Sequence, residues 1–467
     1  MNFYNPLILV SLLLVLEGCA STGQITNSPV SEQLPTNRQQ ITTGQQGRRS
    51  DDAFFFISLS GGGTRAAALS YGVLQELRDT TYLDNGTQRR LLDEVDYISS
   101  VSGGSFTAAY YGLYGDRIFQ DYESVFLRQN VQKTLIGSAL NPLNWLRGLF
   151  TGFNRTEMAI NYYDSNIFRG GSFNDIFDRD GPFIEINATD LGIGARFSFT
   201  QERFNMLCSD VGTFKVARAV AASSAVPVAF APITLQNYDT CPDQDPDWYR
   251  PDHVNFKDNT RMGAVLAAYN SYQDKQGRPY IHLVDGGITD NLGIRALYDR
   301  VELMGGARNT TSALENLPKY IVIIIVNAET RPKNPMDSSD NTPSSVQVVD
   351  AVSSAQIGRY NIESLSLLEE GYKRWAAELS TPGHTVIPFF IKLDFQSIVD
   401  KQYRSIFNNM ATSFSLPADE VDKLIEAGHK LLRESPTFKE LLQMIRENER
   451  KQARMKELSR TVNMPAP

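Results

Sequence analysis

The stretch VDYISSVSGGSFTAAYYGLY, residues 95–114, contains a strand, a sharp turn and a helix in immediate succession. Residues 95–101 are mostly β-branched, aromatic or small, which predicts a buried strand. Residues 105–114 follow with the alanines and aromatic residues of a buried helix, and Ser102 stands at the junction ahead of two glycines. A strand that turns directly into a helix is the building unit of α/β domains.

Outward from this junction, short apolar runs alternate with helical patterns from Phe54 onward. This texture predicts an α/β domain with a largely parallel central sheet. The predicted strands are residues 54–60, 95–101, 183–190, 197–201, 281–285, 320–328 and 385–395. Residues 331–345 are rich in proline, serine and aspartate and predict a surface loop, followed by a long helix that ends near residue 379.

The composition is that of ordinary globular protein, with 467 residues, 42% hydrophobic positions and a formal net charge of −8. Lysine and arginine form no long block, so no basic field is present to attract a nucleic acid. The composition therefore argues against nucleic-acid binding, and it carries no signal for an oligomeric state.

The first 18 residues place an apolar run, too short to span a bilayer, ahead of Cys19, which is typical of a secretion signal peptide. The segment Leu16-Glu17-Gly18-Cys19 resembles a bacterial lipoprotein signal. The resemblance implies that Cys19 is lipidated and anchors the chain in the bacterial cell envelope, on the periplasmic side of the outer membrane. The alternative is a plain signal peptide with an incidental cysteine.

Behind Cys19, residues 19–52 are rich in polar residues with few large apolar ones, which predicts a flexible linker. The α/β domain is then expected over residues 53–400, and a C-terminal helical extension over residues 401–467. Cys208 and Cys241 would be the cysteines of the mature body. In an oxidising envelope they either pair as a disulfide or remain two buried thiols.

Gly61, Gly62 and Gly63 lie between the strand at 54–60 and an amphipathic helix that carries Leu69, Val73 and Leu77. Consecutive glycines at a helix N-terminus expose backbone N–H groups where negative charge is favoured. The turn therefore predicts an anion site, either for a stable phosphate or for a transient oxyanion. Neither the Lys-Ser/Thr pair that follows the glycines of a P-loop nor the wider glycine spacing of a dinucleotide fold is present, and Arg65 either assists the anion or braces the turn.

Ser102 is the candidate nucleophile among the serines of the opening stretch, because a strand-to-helix turn pushes its oxygen out over the sheet. Ser99 and Ser100 fall inside the strand, and Ser105 lies in the first helical turn, where capping is the expected role. Gly104 follows in the turn and supports the same motif.

The chain has four histidines, and none lies in a pattern expected of a general base. Three of them, His253, His384 and His429, are expected in a loop, at a turn and in a helix, and His282 is expected on the strand face opposite Asp285. Asp285 ends a strand ahead of Gly286 and Gly287, which predicts a carboxylate at the carboxyl edge of the sheet. Asp290 and Asn291 are expected to cap the next helix.

Taken in order, GGGxR, the serine turn and DGG resemble the patatin-like phospholipase family. Further similarity lies in residues 153–168, 186–200, 219–235 and 412–432. The resemblance implies a three-layer α/β/α fold whose catalytic domain is residues 53–400. It also implies an acyl hydrolase with Ser102 as nucleophile, Asp285 as base and an oxyanion hole at the glycine triplet beside Arg65.

On this interpretation the substrates are membrane lipids, and the scheme requires no metal or cofactor. Ser60, Ala66 and Ser100 depart from the usual family pattern. These departures keep open a non-catalytic envelope lipoprotein that uses the same fold to bind lipid or a partner. Residues 135–150 are expected to be either core or a lid that touches the membrane, and the basic C-terminal helix either lies on anionic lipid or is solvated.

Overall fold

The structure is a computed structural model, and it describes residues 23–36, 52–84, 86–131, 155–227, 229–242, 260–312, 316–331, 336 and 340–462. The expected signal peptide, Cys19, the 135–150 segment and His253 lie outside these residues.

In the described part of the chain, the strands form one large sheet and two small ones. The strands are β1 (Ser28–Pro29), β2 (Ala53–Leu59), β3 (Thr81–Asp84), β4 (Thr87–Arg90), β5 (Val95–Val101), β6 (Phe183–Asp190), β7 (Ala195–Ser198), β8 (Ser209–Asp210), β9 (Ile233–Gln236), β10 (Tyr280–Asp285), β11 (Tyr320–Asn327) and β12 (Ile387–Asp394). Within the described residues, the central sheet has the order β12-β11-β2-β5-β6-β10-β9, with β7 also paired to β6. The five strands from β12 to β6 are mutually parallel, whereas β10 runs antiparallel to both β6 and β9.

Helices cover both faces of this sheet. The α-helices are α1 (Gly63–Asp79), α2 (Gly103–Tyr114), α3 (Ile118–Tyr122), α4 (Arg155–Tyr162), α5 (Phe173–Phe177), α6 (Gln201–Met206), α7 (Val216–Ser223), α8 (Thr260–Asn270), α9 (Gly287–Asp290), α10 (Arg295–Leu303), α11 (Ala307–Thr310), α12 (Ser345–Leu379), α13 (Lys401–Asn408), α14 (Ala418–Glu434) and α15 (Pro436–Val462). None of the helices in the described ranges combines the length and the apolar character needed to cross a membrane.

Strand β11 shows why the fold has three layers. All eight of its residues are buried, and successive side chains point to opposite faces of the sheet. Val322 and Ile324 enter the core beneath α1, α2, α7 and α14, whereas Ile323 and Ile325 enter the core beneath α8, α10 and α12. This arrangement is the predicted α/β/α fold with a mostly parallel sheet.

The sequence located the main strands well. Strands β5 and β6 have the predicted bounds, and β2, β10, β11 and β12 differ from them by at most two residues. The strand predicted at 197–201 is wrong by up to three residues, because β7 ends at Ser198 and α6 begins at Gln201. The β3–β4 hairpin and the short strands β1, β8 and β9 were not predicted.

Residues 23–36 correct part of the predicted flexible linker, because they are bound to the α/β domain. Strand β1 pairs with β8, and the buried Asn27 side chain donates to the Gln236 carbonyl at 2.9 Å and accepts from the Gln236 N–H at 3.0 Å. Backbone pairing and one buried amide replace the apolar contacts that the segment lacks. The sequence left open whether Cys208 and Cys241 pair. They are joined in a disulfide close to this segment.

The predicted C-terminal extension completes one of the two cores. Helix α14 crosses α1 at very short range. A Cβ placed on Gly428 would lie only 2.5 Å from the Leu69 carbonyl oxygen, so glycine is needed at this crossing. Val421 and Leu424 on α14, with Leu441 on α15, are fully buried. The extension therefore packs directly on the helix that follows the glycine triplet.

Candidate active site

Ser102 occupies the turn between β5 and α2 in a backbone conformation that serine seldom adopts. Its φ is 49° and its ψ is −119°, which costs about 1–3 kcal/mol for a residue with a side chain. The turn places the hydroxyl at the N-terminus of α2, where the helix dipole favours a developing negative charge on oxygen. The side chain is 5% exposed.

Ser223, at the end of α7, holds this turn in place. Its hydroxyl accepts a hydrogen bond from the Ser102 N–H at 2.8 Å and donates to the Asn187 carbonyl at 2.6 Å. Because its single proton is used there, Ser105 is the donor in the 3.0 Å contact between the two hydroxyls. Ser105 therefore supports the turn through Ser223, and the expected capping role is wrong.

Asp285 lies beside the nucleophile candidate. The Ser102 hydroxyl donates to Asp285 Oδ2 at 2.9 Å, and the Gly287 N–H donates to Asp285 Oδ1 at 2.8 Å. Both carboxylate oxygens are therefore oriented, and one of them points at the serine proton.

The route by which Asp285 reaches this point differs from the expected one. Because β10 is antiparallel to β6, its carboxyl end points away from the carboxyl ends of the parallel strands. The strand instead enters from beyond that edge and ends with Asp285 opposite Ala188, one residue past the pairing of Val101 with Asn187. The register of β10, and not its direction, aligns the carboxylate with Ser102.

Burial controls the charge of Asp285. Loss of hydration raises the pKa of this carboxyl from 3.8 to about 6, while hydrogen bonds from Gly287 and Ser102 act in the opposite direction. The group is therefore still ionised at neutral pH, and its proton affinity is higher than that of an exposed aspartate. This combination suits a general base.

The glycine triplet faces Ser102. A Cβ placed on Gly103 would lie 2.0 Å from the Gly63 carbonyl oxygen, so the two turns touch through glycine backbone. Gly62 has a φ of 138° and Gly63 a φ of 62°, which residues with side chains rarely adopt. The N–H groups of both make no hydrogen bond with any described part of the chain and are available for an anion.

Gly61 differs from its two neighbours and corrects the predicted oxyanion hole. Its N–H donates to the Asn291 carbonyl at 3.0 Å, so that donor is already used. A Cβ on Gly61 would lie 3.3 Å from the Ser102 Cβ and 2.5 Å from Asn291 Oδ1, which explains the glycine by close approach. Asn291, expected only as a cap, therefore anchors the triplet. The turn is left with Gly62 and Gly63 as donors.

Arg65 also departs from its expected place in the oxyanion hole. Its buried guanidinium donates to the carbonyl oxygens of Ala328 and Met410 at 2.9 Å each and to the Thr412 hydroxyl at 3.0 Å. Burial lowers the pKa of Arg65 to about 10, so the group remains charged at neutral pH. Arg65 braces the glycine turn against β11 and the C-terminal section.

The remaining motif glycines have packing roles. Gly104 donates its N–H to the Ser60 carbonyl at 3.2 Å, and a Cβ there would lie 2.5 Å from the Leu59 carbonyl oxygen. A Cβ on Gly286 would lie 2.4 Å from the Asn187 carbonyl oxygen, so only glycine lets the chain turn after Asp285.

The departures from the family pattern are accommodated in the structure. Ser60 accepts from the Ala328 N–H at 2.9 Å and so ties the glycine turn to β11. Ser100 lies inside β5 and donates to the Glu185 carbonyl at 3.1 Å.

The predicted capping role of Asp290 is present in the structure. Its Oδ2 accepts a hydrogen bond from the Arg295 N–H, the first N–H of α10, at 2.8 Å.

The described histidines contact residues other than Ser102 and Asp285. His282 contacts Thr234, His384 contacts the Pro318 carbonyl, and His429 contacts Glu76 and Gln75. The described residues contain no group of three or more His, Cys, Asp or Glu side chains that could bind a metal ion.

Sequence reasoning missed Ser223, Asn187 and Asn291 as supports of the site. Ser223 and Asn187 lie in segments 219–235 and 186–200, where small and polar residues interrupt otherwise apolar elements. That interruption was the available signal, because a buried polar residue in an apolar element needs a hydrogen-bond partner.

A family model described as "Patatin-like phospholipase" matches residues 57–298, just over half of the chain. No match was found among curated protein sequences.

Solved structures that match this chain include the human GIVD cytosolic phospholipase A2. It is 12% identical with a TM-score of 0.47, over 91% of this chain and 68% of the human chain. The same human protein in complex with methyl gamma-linolenyl fluorophosphonate inhibitor and terbium chloride is 13% identical with a TM-score of 0.42. That alignment covers 91% of this chain and 66% of the human one.

Proposed function

Because this chain belongs to the patatin-like phospholipase family, we propose that it is a serine lipid acyl hydrolase that cleaves carboxylic esters of membrane lipids. The observation that carries the proposal is the 2.9 Å hydrogen bond from the Ser102 hydroxyl to Asp285 Oδ2. A serine hydroxyl is a poor nucleophile until a base accepts its proton, and a buried carboxylate in contact with it meets that need.

In the first step Asp285 takes the proton of Ser102 as the serine oxygen attacks the ester carbonyl carbon. The carbonyl oxygen becomes an oxyanion, and the N–H groups of Gly62 and Gly63 supply its hydrogen bonds. Each well-placed donor contributes about 3 kcal/mol to such a transition state. The bond to the leaving alcohol then breaks, and Asp285 returns the proton to that alcohol.

In the second step the acyl group is released from Ser102. Asp285 takes a proton from water, the resulting hydroxide attacks the acyl carbonyl carbon, and the same two glycines bind the second oxyanion. Collapse of this intermediate breaks the acyl-serine bond, frees the fatty acid and returns the proton to Ser102. Every proton in the cycle moves through the one carboxylate.

A fluorophosphonate probe, which reacts covalently with activated serines, tests the proposal. Wild-type protein should be labelled and should release fatty acid from phospholipids and fluorogenic acyl esters, and Ser102→Ala should do neither. Ser100→Ala is the matched control, because this buried serine two residues away bonds the Glu185 carbonyl. Equal ester hydrolysis by wild type and Ser102→Ala would refute the proposal, and a wild type that is neither labelled nor active would favour a lipid-binding scaffold.

We further propose that the chain is anchored in a bacterial envelope through lipidated Cys19, on the periplasmic side of the outer membrane. The support is the lipoprotein-like sequence that ends at Cys19, together with the disulfide between Cys208 and Cys241, which suits an oxidising compartment. Metabolic labelling with a fatty-acid analogue should mark the wild type and not Cys19→Ala. An unlabelled wild type would contradict the anchor.

A further inference from the structure

Helix α12 is much longer than the sheet it covers. Its 35 residues extend about 52 Å at 1.5 Å per residue. The neighbouring strand β11 has eight residues, which extend about 26 Å. About half of the helix therefore has no strand of the sheet beneath it.

The unsupported half lies on the side of Ser102. Asn361 donates to Glu329 at 2.7 Å, and Glu329 follows the carboxyl end of β11 by two residues, so position 361 is level with that edge. Residues 345–360 precede this point and project past the edge. Because β11, β2 and β5 are parallel, this is the edge at which Ser102 lies.

The projecting half is apolar and nearly uncharged. Its sequence, SVQVVDAVSSAQIGRY, has Asp350 and Arg359 as its charged residues. None of its described side chains is buried, and Val348 and Val352, four residues apart on one helix face, are 45% and 60% exposed. Together the two valines give this half of the helix an apolar face open to solvent, and contiguous apolar surface of this kind marks an interaction site.

Other exposed apolar side chains surround the same edge. Leu191 directly follows β6, Val399 follows β12, and Tyr280 begins β10 beyond the end of β6. Val226 is next to Ala225, whose carbonyl accepts from the Asp285 N–H at 2.9 Å. These side chains come from separate elements around the candidate site, as contact with a broad surface requires and contact with one bound peptide does not.

We propose that residues 345–360 of α12 enter a phospholipid surface and dock the active-site edge on it. Residues 345–360 contain no cluster of basic residues. A zwitterionic lipid surface, which has no net charge, therefore suits them, and anionic lipid is not required. The inference rests on the proposed function, since docking at this edge brings membrane esters to Ser102. The proposal also gives α12 a role in lipid binding that is separate from the roles proposed for Ser102 and Asp285.

The test uses the full chain carrying Cys19→Ala, so that the proposed anchor does not contribute to binding. Val348→Gln/Val352→Gln removes the apolar face, and glutamine favours helix more than valine does, so the helix is retained. Binding to sucrose-loaded phosphatidylcholine vesicles, measured by pelleting, should weaken roughly tenfold or more. Hydrolysis of a soluble short-chain ester should stay within about twofold of the parent, because the catalytic pair is untouched.

Leu83→Gln is the matched control. Leu83 is 51% exposed in the β3–β4 hairpin, which leads into the amino end of β5 on the opposite edge. This change should leave vesicle binding intact. Repeating the pelleting with Ser102→Ala separates docking from catalysis, because binding should persist even if no ester is cleaved by any form.

Four results would overturn the proposal. The parent does not pellet with vesicles, or the double variant pellets as well as the parent, or Leu83→Gln loses as much binding as the double variant. The fourth is a parent that sediments as a dimer while the double variant is a monomer, which would assign the face to a second copy of the chain. If the second result comes with a lower melting temperature of the double variant, the chain's own residues cover the valine face.

Discussion

Asp285 stands opposite Ala188 in the antiparallel β10–β6 ladder, and this register places its carboxylate 2.9 Å from the Ser102 hydroxyl. A shift of β10 by one residue would turn Asp285 to the other face of the sheet, since side chains alternate along a strand. The glycine after Asp285, which approaches the Asn187 carbonyl, fixes where β10 must stop. The pH behaviour of the protein should follow from this buried carboxylate.

The rate of ester cleavage should rise with pH through about 6, the value to which burial raises the pKa of Asp285. Protonated Asp285 cannot accept the serine proton, so kcat/KM should fall about tenfold per pH unit well below that value. A soluble ester measured from pH 4.5 to 8, with circular dichroism at each pH as the control for folding, provides the measurement. A flat profile between pH 5 and 7 would be incompatible with Asp285 as the base.

Replacement of Asp285 by asparagine should make the protein more stable at pH 7.5 and much less active. Because the pKa of Asp285 is raised on folding, its contribution to stability is fully present below about pH 3.8 and is lost as pH rises through about 6. The loss amounts to about 3 kcal/mol, and uncharged asparagine avoids it.

Urea unfolding at pH 4 and pH 7.5 measures this effect. The free energy of unfolding of Asp285→Asn should exceed that of wild type by about 3 kcal/mol at pH 7.5 and by little at pH 4. Activity should fall by a factor on the order of 10³. A variant less stable than wild type at pH 7.5 would mean that the ionised carboxylate stabilises the fold.

Ser223→Ala should slow catalysis although Ser223 does not touch the ester. Loss of its hydroxyl removes the acceptor for the Ser102 N–H, and the strained turn loses a support worth about 1 kcal/mol. We expect kcat to fall roughly tenfold with KM nearly unchanged.

The neighbouring Ser224 is the matched control for that change. It is buried too, but its hydroxyl bonds the Val220 carbonyl of its own helix at 2.7 Å. Both kcat and the rate of fluorophosphonate labelling of Ser224→Ala should remain close to those of wild type, whereas both should fall in Ser223→Ala. Equal slowing in both variants would assign the effect to general loosening of α7.

Arg65→Lys should lower stability more than it lowers the rate of the chemical step. Lysine cannot reproduce the three hydrogen bonds that the buried guanidinium makes, and the free energy of unfolding should drop by about 3 kcal/mol. Arg78→Lys, on the exposed end of the same helix, should change it by less than about 0.5 kcal/mol. A large fall in kcat with unchanged stability would instead place Arg65 at the oxyanion.

Local patterns were enough to predict much of the fold and the places of the two candidate catalytic residues in it. Strand β5 was predicted to the residue because an apolar run ended at a serine and two glycines. The docked segment at 23–36 was missed because it is held by backbone pairing and by Asn27, which leave no trace in hydrophobicity. The place of Arg65 was missed for a related reason, since its partners are two carbonyl oxygens and one hydroxyl that lie 263 to 347 residues away.

The sequence by itself determined the α/β class, the turn that carries Ser102 and the candidacy of Asp285, because strand, glycine and helix signals all act over a few residues. Tertiary structure decided which groups meet. The antiparallel register of β10 brings Asp285 to Ser102, the Asn291 carbonyl removes Gly61 from the available donors, and Ser223 supports the strained turn. These contacts depend on the packing of distant segments, and packing is a property of the folded chain that no short stretch of residues encodes.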